Sequence, residues 1–503
     1  MARTNLPDSV ALVVAERTPT AFWAALRRAE KAARVVELRL DYLGSVAEIV
    51  GVLEKLARRP SRLTLIATCR RRADGGEFGG SPSAQLALLE LAVRAGCRWV
   101  DVDAATLEAF PRRLRRVFLR NARRIVSRHD FKRTPANLPA LYRRLKLLGG
   151  ELVKIAALAR THRDAVRLLE LARRHRRRVV ALPMGAVGIP GRVLSLRAGS
   201  ALAYAAPDVG TPTAPGQLSW SELHARYRAP KLNARTRVYG VIGQPILHSL
   251  SPPMHNAAFA HARLNAVYLP FEVANLKDFL ACLKAYRLAG FSVTAPHKQA
   301  ILRHLDEIDP LAEMIGAVNT VVVGRDGRLS GFNTDYVGVL RTLQRYIHLE
   351  CSQVLLVGAG GSARACAFAL ATAGAFVCVT SRRAEQARAL AHAVGGEAVP
   401  RRALARRRFD AIVNCTPVGQ APHPNATPLA ARELNTRVLF DLVYNPPQTR
   451  LLREARRRGV RTVPGWQMLV EQGAAQFEIW TERRAPLQVM RRAVLNGLRT
   501  AER

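Results

Sequence analysis

The chain has 503 residues, 49% hydrophobic and 23% charged, which excludes a disordered or fibrous protein and, at roughly 100 to 250 residues per domain, asks for two to four domains. Its 78 basic against 38 acidic residues give +40, carried by arginine in short runs such as Arg112-Arg113, Arg115-Arg116, Arg173-Arg174, Arg176 to Arg178 and Arg406 to Arg408. These runs are dispersed and lack interleaved aromatics, so they read as solvated helix faces rather than a nucleic-acid surface, although a field of this sign also draws in small anions. Seven scattered cysteines with no CxxC predict reduced thiols, no disulfide framework and no metal site. No run approaches the roughly 20 apolar residues of a membrane span, so the expectation is a soluble, untargeted, cytoplasmic chain. No feature specifies an oligomeric state.

From Val10, apolar β-rich runs alternate with helical segments: VALVVAE, VVELRLDYL, LTLIATCR, WVDVDA, RIVSRHDF, LVKIAAL, RVVALPMG and ALAYAAP. Strands apolar throughout and separated by helices indicate parallel pairing covered on both faces, and about eight such units predict an α/β fold of the (β/α)8 type over residues 1–229. Chemistry in that fold sits at the carboxyl ends of strands. Polar residues fall there: Glu37, Arg39, Asp41, Arg70, Asp101, Asp103, His129, Asp130, Lys154, Arg192 and Gln217. Lys154 stands out because arginine is the default cation here. Burial lowers the pKa of an ammonium and leaves an amine able to form a Schiff base, which a guanidinium cannot do. His129, ending the preceding strand, is placed to move protons.

ELRLD, SRHDF, VKIA, a Gly188-to-Arg192 loop and TAPGQ, in this order, resemble the type I 3-dehydroquinate dehydratases across residues 8 to 229. The resemblance implies that Lys154 forms an imine with the substrate ketone, while His129 takes the α-proton and returns one to the leaving hydroxyl. Glu37, Arg39, Arg70, Arg192, Thr213 and Gln217 match substrate-binding positions, with Arg192 on the carboxylate. Asp103 stands where the family has a glutamate that orients the histidine, and Gly191 where it has a serine.

A polar link, residues 230–236, leads to strand-like VYGVIG, VYLPFEV, GFSVTAP and AVNTVVV in a small α/β domain over 237–346. QVLLVGAGGSARACAFALA then reads as strand, glycine turn and helix, opening a Rossmann domain over 347–503. Gly358, Gly360 and Gly361 permit the tight turn and let a pyrophosphate approach backbone N–H groups. The next strand ends in Ser381, Arg382 and Arg383, about 20 residues on, where an NAD site carries a carboxylate; positive charge there suits a 2′-phosphate and hence NADP.

HSLSP, VTAPHK, AVNT, FNTD, NCTPVG, DLVYNP and GWQMLVEQ, with the glycine turn, resemble shikimate dehydrogenases across residues 237 to 503. The resemblance implies that Ser249 and Ser251 bind the substrate carboxylate. It places Thr294, Asn319, Tyr444 and Gln472 around the substrate ring, makes Lys298 and Asp335 the proton-transfer pair, and sets Thr416, Gly465 and Met468 against the cofactor, with C-terminal helices returning to the substrate domain. Ser292, where the family commonly has Asn, and Leu250 are departures. Together the halves imply a bifunctional enzyme taking 3-dehydroquinate through 3-dehydroshikimate to shikimate. The alternatives are a quinate or shikimate dehydrogenase with an impaired barrel, suggested by Asp103 and Gly191, and an arginine-rich nucleic-acid-binding protein on an enzyme fold.

Overall fold

The computed structural model describes residues 6–59, 61–110 and 121–501, so Arg112, Arg113, Arg115 and Arg116 lie outside the described residues. The backbone divides into two compact units, Met1–Thr236 with Lys277–Tyr286 and Arg237–Leu276 with Arg287–Arg503. No helix among the described residues is long and apolar enough to cross a membrane.

The first unit holds β1 (Val10–Val14), β2 (Val35–Arg39), β3 (Thr64–Thr68), β4 (Trp99–Asp103), β5 (Arg123–Asp130), β6 (Leu152–Leu158), β7 (Val179–Met184) and β8 (Ala203–Ala205). They pair in parallel in chain order, with β1 also pairing β8. The seam between β7 and the approach to β8 carries one backbone bond, Ala201 N–H to Val179 O at 2.8 Å, so the barrel is nearly closed. Apolar side chains such as Ile66, Trp99, Ile125, Leu152 and Val180 fill a shared core. Helices begin where the chain supplies a hydroxyl or amide cap: Thr18, Ser45, Ser81, Asn137 and Thr161, the last in a capping box with Asp164. The register sets Ser127 of β5 beside Lys154 of β6, so His129, two residues on, faces the same side as Lys154.

Several extents differ from the sequence reading. β2 stops at Arg39 and leaves Asp41 in a 3-10 turn, Leu40–Tyr42, while Arg70 lies past the end of β3. Arg192 was expected in a loop but sits in the first turn of the helix Ile189–Ala198; Pro190 needs no backbone donor and has its φ already set for a first turn. The SWSELHARYRA stretch after Gln217 forms a π-type turn, Glu222–Arg226.

In the second unit β9 (Arg237–Gly243), β10 (Ala266–Glu272), β11 (Leu288–Val293), β12 (Glu307–Ile308), β13 (Thr320–Val323) and β14 (Leu329–Phe332) form a mixed sheet in the order β10-β9-β11-β13-β14-β12. A third sheet, all parallel, contains β15 (Gln353–Val357), β16 (Phe376–Thr380), β17 (Glu397–Ala398), β18 (Phe409–Asn414), β19 (Thr436–Asp441) and β20 (Arg461–Pro464) in the order β17-β16-β15-β18-β19-β20. That is the doubly wound order, with its switch point between β15 and β18, where ligands bind in such sheets. The short strands β12, β14 and β17 were not anticipated, since two to four residues carry too little periodicity to read. Phe477, Trp480, Met490, Val494 and Leu498 of the last two helices pack with Met254 and Phe259 of the helix Ser251–His261.

Candidate active sites

In the barrel, Lys154 is 4% exposed. Its Nζ lies 2.8 Å from Asp101 Oδ2, 3.5 Å from Glu37 Oε1 and 3.8 Å from the centre of the Tyr204 ring. Burial is only part of its environment: the fold adds two carboxylates and an aromatic face. Asp101 also accepts from Arg70 Nη2 at 2.8 Å and Ser127 Oγ at 2.6 Å. Burial alone would raise the pKa of Asp101, but the Lys154 and Arg70 charges outweigh it and hold the carboxyl well below its usual range. Glu37 additionally accepts from Thr68 Oγ1 at 2.8 Å, and Arg39 is paired with Asp41 at 2.7 Å over the Tyr42 ring.

His129 Nδ1 is buried without a hydrogen-bond partner, 3.8 Å from Asp103 Oδ1. Asp103 turns instead to Arg70 Nε at 3.1 Å and Ser127 Oγ at 3.2 Å, and its short side chain does not bridge the remaining gap. Burial and the Arg70 charge push the imidazole pKa down to about 4, so it is neutral and able to accept a proton near pH 7. Arg192, 6% exposed, donates from Nη2 to Pro215 O at 3.0 Å, while its Nε has no partner; burial lowers its pKa to about 10. A buried guanidinium without a carboxylate is a receptor for an anion. Gln217 Oε1 accepts from Thr213 N and Oγ1 at 2.8 and 3.0 Å, closing the turn. Gly216 within it has φ +69°, and a Cβ there would lie 2.6 Å from Gly185 O. Sequence reasoning put Asp101 at a strand end without giving it a role and missed Ser127 and Tyr204. The signal for Asp101 was WVDVD, two carboxylates on one face of an apolar strand.

In the second unit, Lys298 Nζ lies 2.5 Å from Asp335 Oδ2. Asp335 opens the helix Asp335–Leu343 without capping it, and its Oδ1 accepts from Asn319 Nδ2 at 2.8 Å. Asn319 Nδ2 also faces Gln472 Oε1 at 3.4 Å, so four of the expected residues form one connected group. Ser249 and Ser251 lie together, Ser251 N–H donating to Ser249 Oγ at 3.2 Å at the start of the helix Ser251–His261. Thr294 lies just past β11, its methyl within 2.5 Å of where a Cβ on Gly243 would stand. Tyr444 is half-buried against the same apolar cluster as Met254 and Trp480.

At the glycine turn, Gly358 has φ +114°, and a Cβ there would come within 3.0 Å of Thr416 Cγ2. Gly360 and Gly361 open the helix Gly361–Thr372, and a Cβ on either would meet no protein atom within 4 Å. The turn thus presents helix-start N–H groups across open space, which suits an anion such as pyrophosphate. Ser381 Oγ donates to Arg383 O at 2.7 Å; Arg382 and Arg383 are exposed and, among the described residues, take part in no ion pair. Thr416 N–H and Oγ1 both donate to Asn414 Oδ1, at 3.0 and 2.7 Å. Asn414 Nδ2 in turn donates to the buried Asp441 at 2.9 Å, whose pKa burial raises to about 6. Asn414 and Asp441, both at strand ends, were missed because their motifs were matched without asking what each polar side chain holds. Gly465 precedes the helix Trp466–Thr481, where a Cβ would lie 2.4 Å from Leu442 O, and Met468 is buried one turn on.

Residues 10–234 match the family model of type I 3-dehydroquinase, residues 241–321 that of the shikimate dehydrogenase substrate binding domain and residues 465–495 that of the shikimate 5'-dehydrogenase C-terminal domain. A chloroplastic bifunctional 3-dehydroquinate dehydratase/shikimate dehydrogenase of Arabidopsis thaliana is 34% identical over 481 residues, covering 92% of this chain and 79% of that one. A shikimate dehydrogenase (NADP(+)) of Methanopyrus kandleri is 43% identical over 288 residues, 53% of this chain and 98% of that one. A solved shikimate dehydrogenase in complex with NADP+ is 38% identical with a TM-score of 0.51, covering 53% of this chain and 97% of that one. The chain belongs to the family of bifunctional 3-dehydroquinate dehydratases/shikimate dehydrogenases.

Proposed function

We propose that the chain dehydrates 3-dehydroquinate to 3-dehydroshikimate in its barrel and reduces that product to shikimate in its second unit with NADPH. The observation that carries the reading is a lysine held by carboxylate at each site, buried Lys154 by Asp101 and Glu37 and half-buried Lys298 by Asp335, in a chain whose cations are otherwise mostly arginine. In the barrel, Lys154, held beside Asp101 at 2.8 Å, loses its proton to water and its amine adds to the ketone; loss of water leaves the imine. The neutral His129 removes the α-proton and delivers one to the departing hydroxyl; water then hydrolyses the imine and frees Lys154. Arg192 takes the substrate carboxylate as the counter-ion it lacks, and Glu37, Arg39, Arg70, Thr213 and Gln217 line the same site.

In the second unit Ser249 and Ser251 hold the substrate carboxylate, and Thr294, Asn319, Tyr444 and Gln472 surround the ring. NADPH, when bound, supplies the hydride to the carbonyl carbon. Lys298 donates the proton to the carbonyl oxygen, and Asp335 keeps that ammonium in place. Gly358, Gly360, Gly361 and Thr416 would cradle the pyrophosphate, Ser381, Arg382 and Arg383 the 2′-phosphate, and Gly465 and Met468 the nicotinamide end. Seven free thiols support a reducing, cytoplasmic setting. Purified chain given 3-dehydroquinate and NADPH is expected to form shikimate with equimolar loss of NADPH; 3-dehydroquinate left unconsumed, or 3-dehydroshikimate accumulating with NADPH intact, refutes the first or the second half of the reading.

A further inference from the structure

A chain of buried side chains runs from the core of the substrate domain to the Lys298–Asp335 pair. Tyr268 Oη and Ser292 Oγ are 2.6 Å apart, and Ser292 Oγ donates to Gln476 Oε1 at 2.8 Å. Gln476 Nε2 donates to Thr320 Oγ1 at 3.0 Å and to Asn319 O at 3.2 Å; Thr320 Oγ1 donates to Asn319 Oδ1 at 2.7 Å. Asn319 Nδ2 then donates to Asp335 Oδ1, whose other oxygen holds Lys298. Gln476 and Thr320 are 1% and 0% exposed, so neither touches solvent or a ligand.

Direction matters in this chain. A serine hydroxyl has one proton, and giving it to Gln476 Oε1 leaves the Gln476 NH2 facing Thr320. Thr320 Oγ1 accepts that proton and points its own at Asn319 Oδ1, which also accepts from Thr334 N–H at 2.7 Å; the two donors together leave the Asn319 NH2 facing Asp335. Gln476 lies one helical turn from Gln472, so a single helix face supplies both amides that meet Asn319.

We propose that Gln476 and Thr320 are positioning residues for the reductase reaction: acting through Asn319, they fix the orientation of the Asp335 carboxylate and hence of the Lys298 ammonium. This rests on the reductase reading above. Gln476 and Thr320 make no substrate contact themselves, so their loss acts through the Asp335–Lys298 pair and falls on turnover more than on binding.

The test compares Gln476→Met and Thr320→Val, which keep shape and remove polarity, with Thr320→Ser, which keeps the hydroxyl, in shikimate oxidation with NADP+. The expected result is a kcat about tenfold lower in Gln476→Met and Thr320→Val, the upper end of what one lost neutral hydrogen bond carries. KM for shikimate and for NADP+ should stay within about twofold, Thr320→Ser should run near wild type, and the double variant should be no slower than the singles. Wild-type-like kcat in both apolar variants, an effect on KM alone, or additive losses in the double variant overturns the inference while wild-type turnover leaves the reductase reading standing. A wild-type chain inert towards shikimate and NADP+ overturns that reading and this inference with it.

Discussion

His255 is fully buried, neither ring nitrogen has a hydrogen-bond partner, and the ring stacks on Tyr268 with centroids 4.4 Å apart. Burial pushes its pKa down to about 3, against roughly 6.5 in an unfolded chain. The sign follows from the depressed value: the folded state keeps the neutral ring, so its contribution is intact above the unfolded pKa and is lost as pH falls, because the unfolded chain takes up the proton that the folded one refuses. Between pH 7 and pH 5 the folded ring stays neutral while the unfolded one protonates, which costs about 2 kcal/mol of stability. Replacing His255 with leucine, of similar volume and without a titrating group, should remove that slice. Denaturant unfolding followed by tryptophan fluorescence reads it, since the Trp480 ring lies 5.4 Å away. The gap between variant and wild type should move by about 2 kcal/mol in the variant's favour from pH 7 to pH 5. If both lose stability in parallel, to within about 0.5 kcal/mol, the ring is not held neutral by burial and the reasoning fails.

Lys154→Arg should abolish dehydration of 3-dehydroquinate while shikimate oxidation continues, since a guanidinium keeps the charge beside Asp101 but forms no imine; dehydratase turnover near wild type removes the imine from the scheme. Arg192→Met should raise KM for 3-dehydroquinate at least about tenfold and leave the melting temperature unchanged or higher, because it removes a buried cation that has no carboxylate partner. A fall in melting temperature with KM unmoved would make that guanidinium a structural group. Joint replacement of Arg382 and Arg383 by alanine should raise KM for NADPH far more than for NADH, checked by steady-state reduction of 3-dehydroshikimate with each cofactor; equal effects show that neither reads the 2′-phosphate.

The barrel and the glycine turn were legible in the sequence because they rest on local rules. Apolar strands alternating with helices dictate parallel pairing, and a glycine-rich turn between strand and helix dictates where N–H groups collect. Lys154, His129, Lys298 and Asp335 could likewise be singled out, as scarce residue types at strand ends or in matched motifs. Most of what surrounds Lys154 and His129 was not legible. Asp101 reaches Lys154 from two strands away, and Tyr204 from the far side of the seam, partners separated by about fifty residues of chain in each case. Likewise Asp103 is drawn away from His129 by Arg70 and Ser127, and Gln476 meets Thr320 across 156 positions. Local sequence pattern decided which residue types stand where along each strand and helix. Only closure of the barrel and the return of the last helices decided which carboxylate, amide or aromatic face each ionisable group meets, because charge and hydrogen-bond partners act through space and the order of residues along the chain does not record their distances.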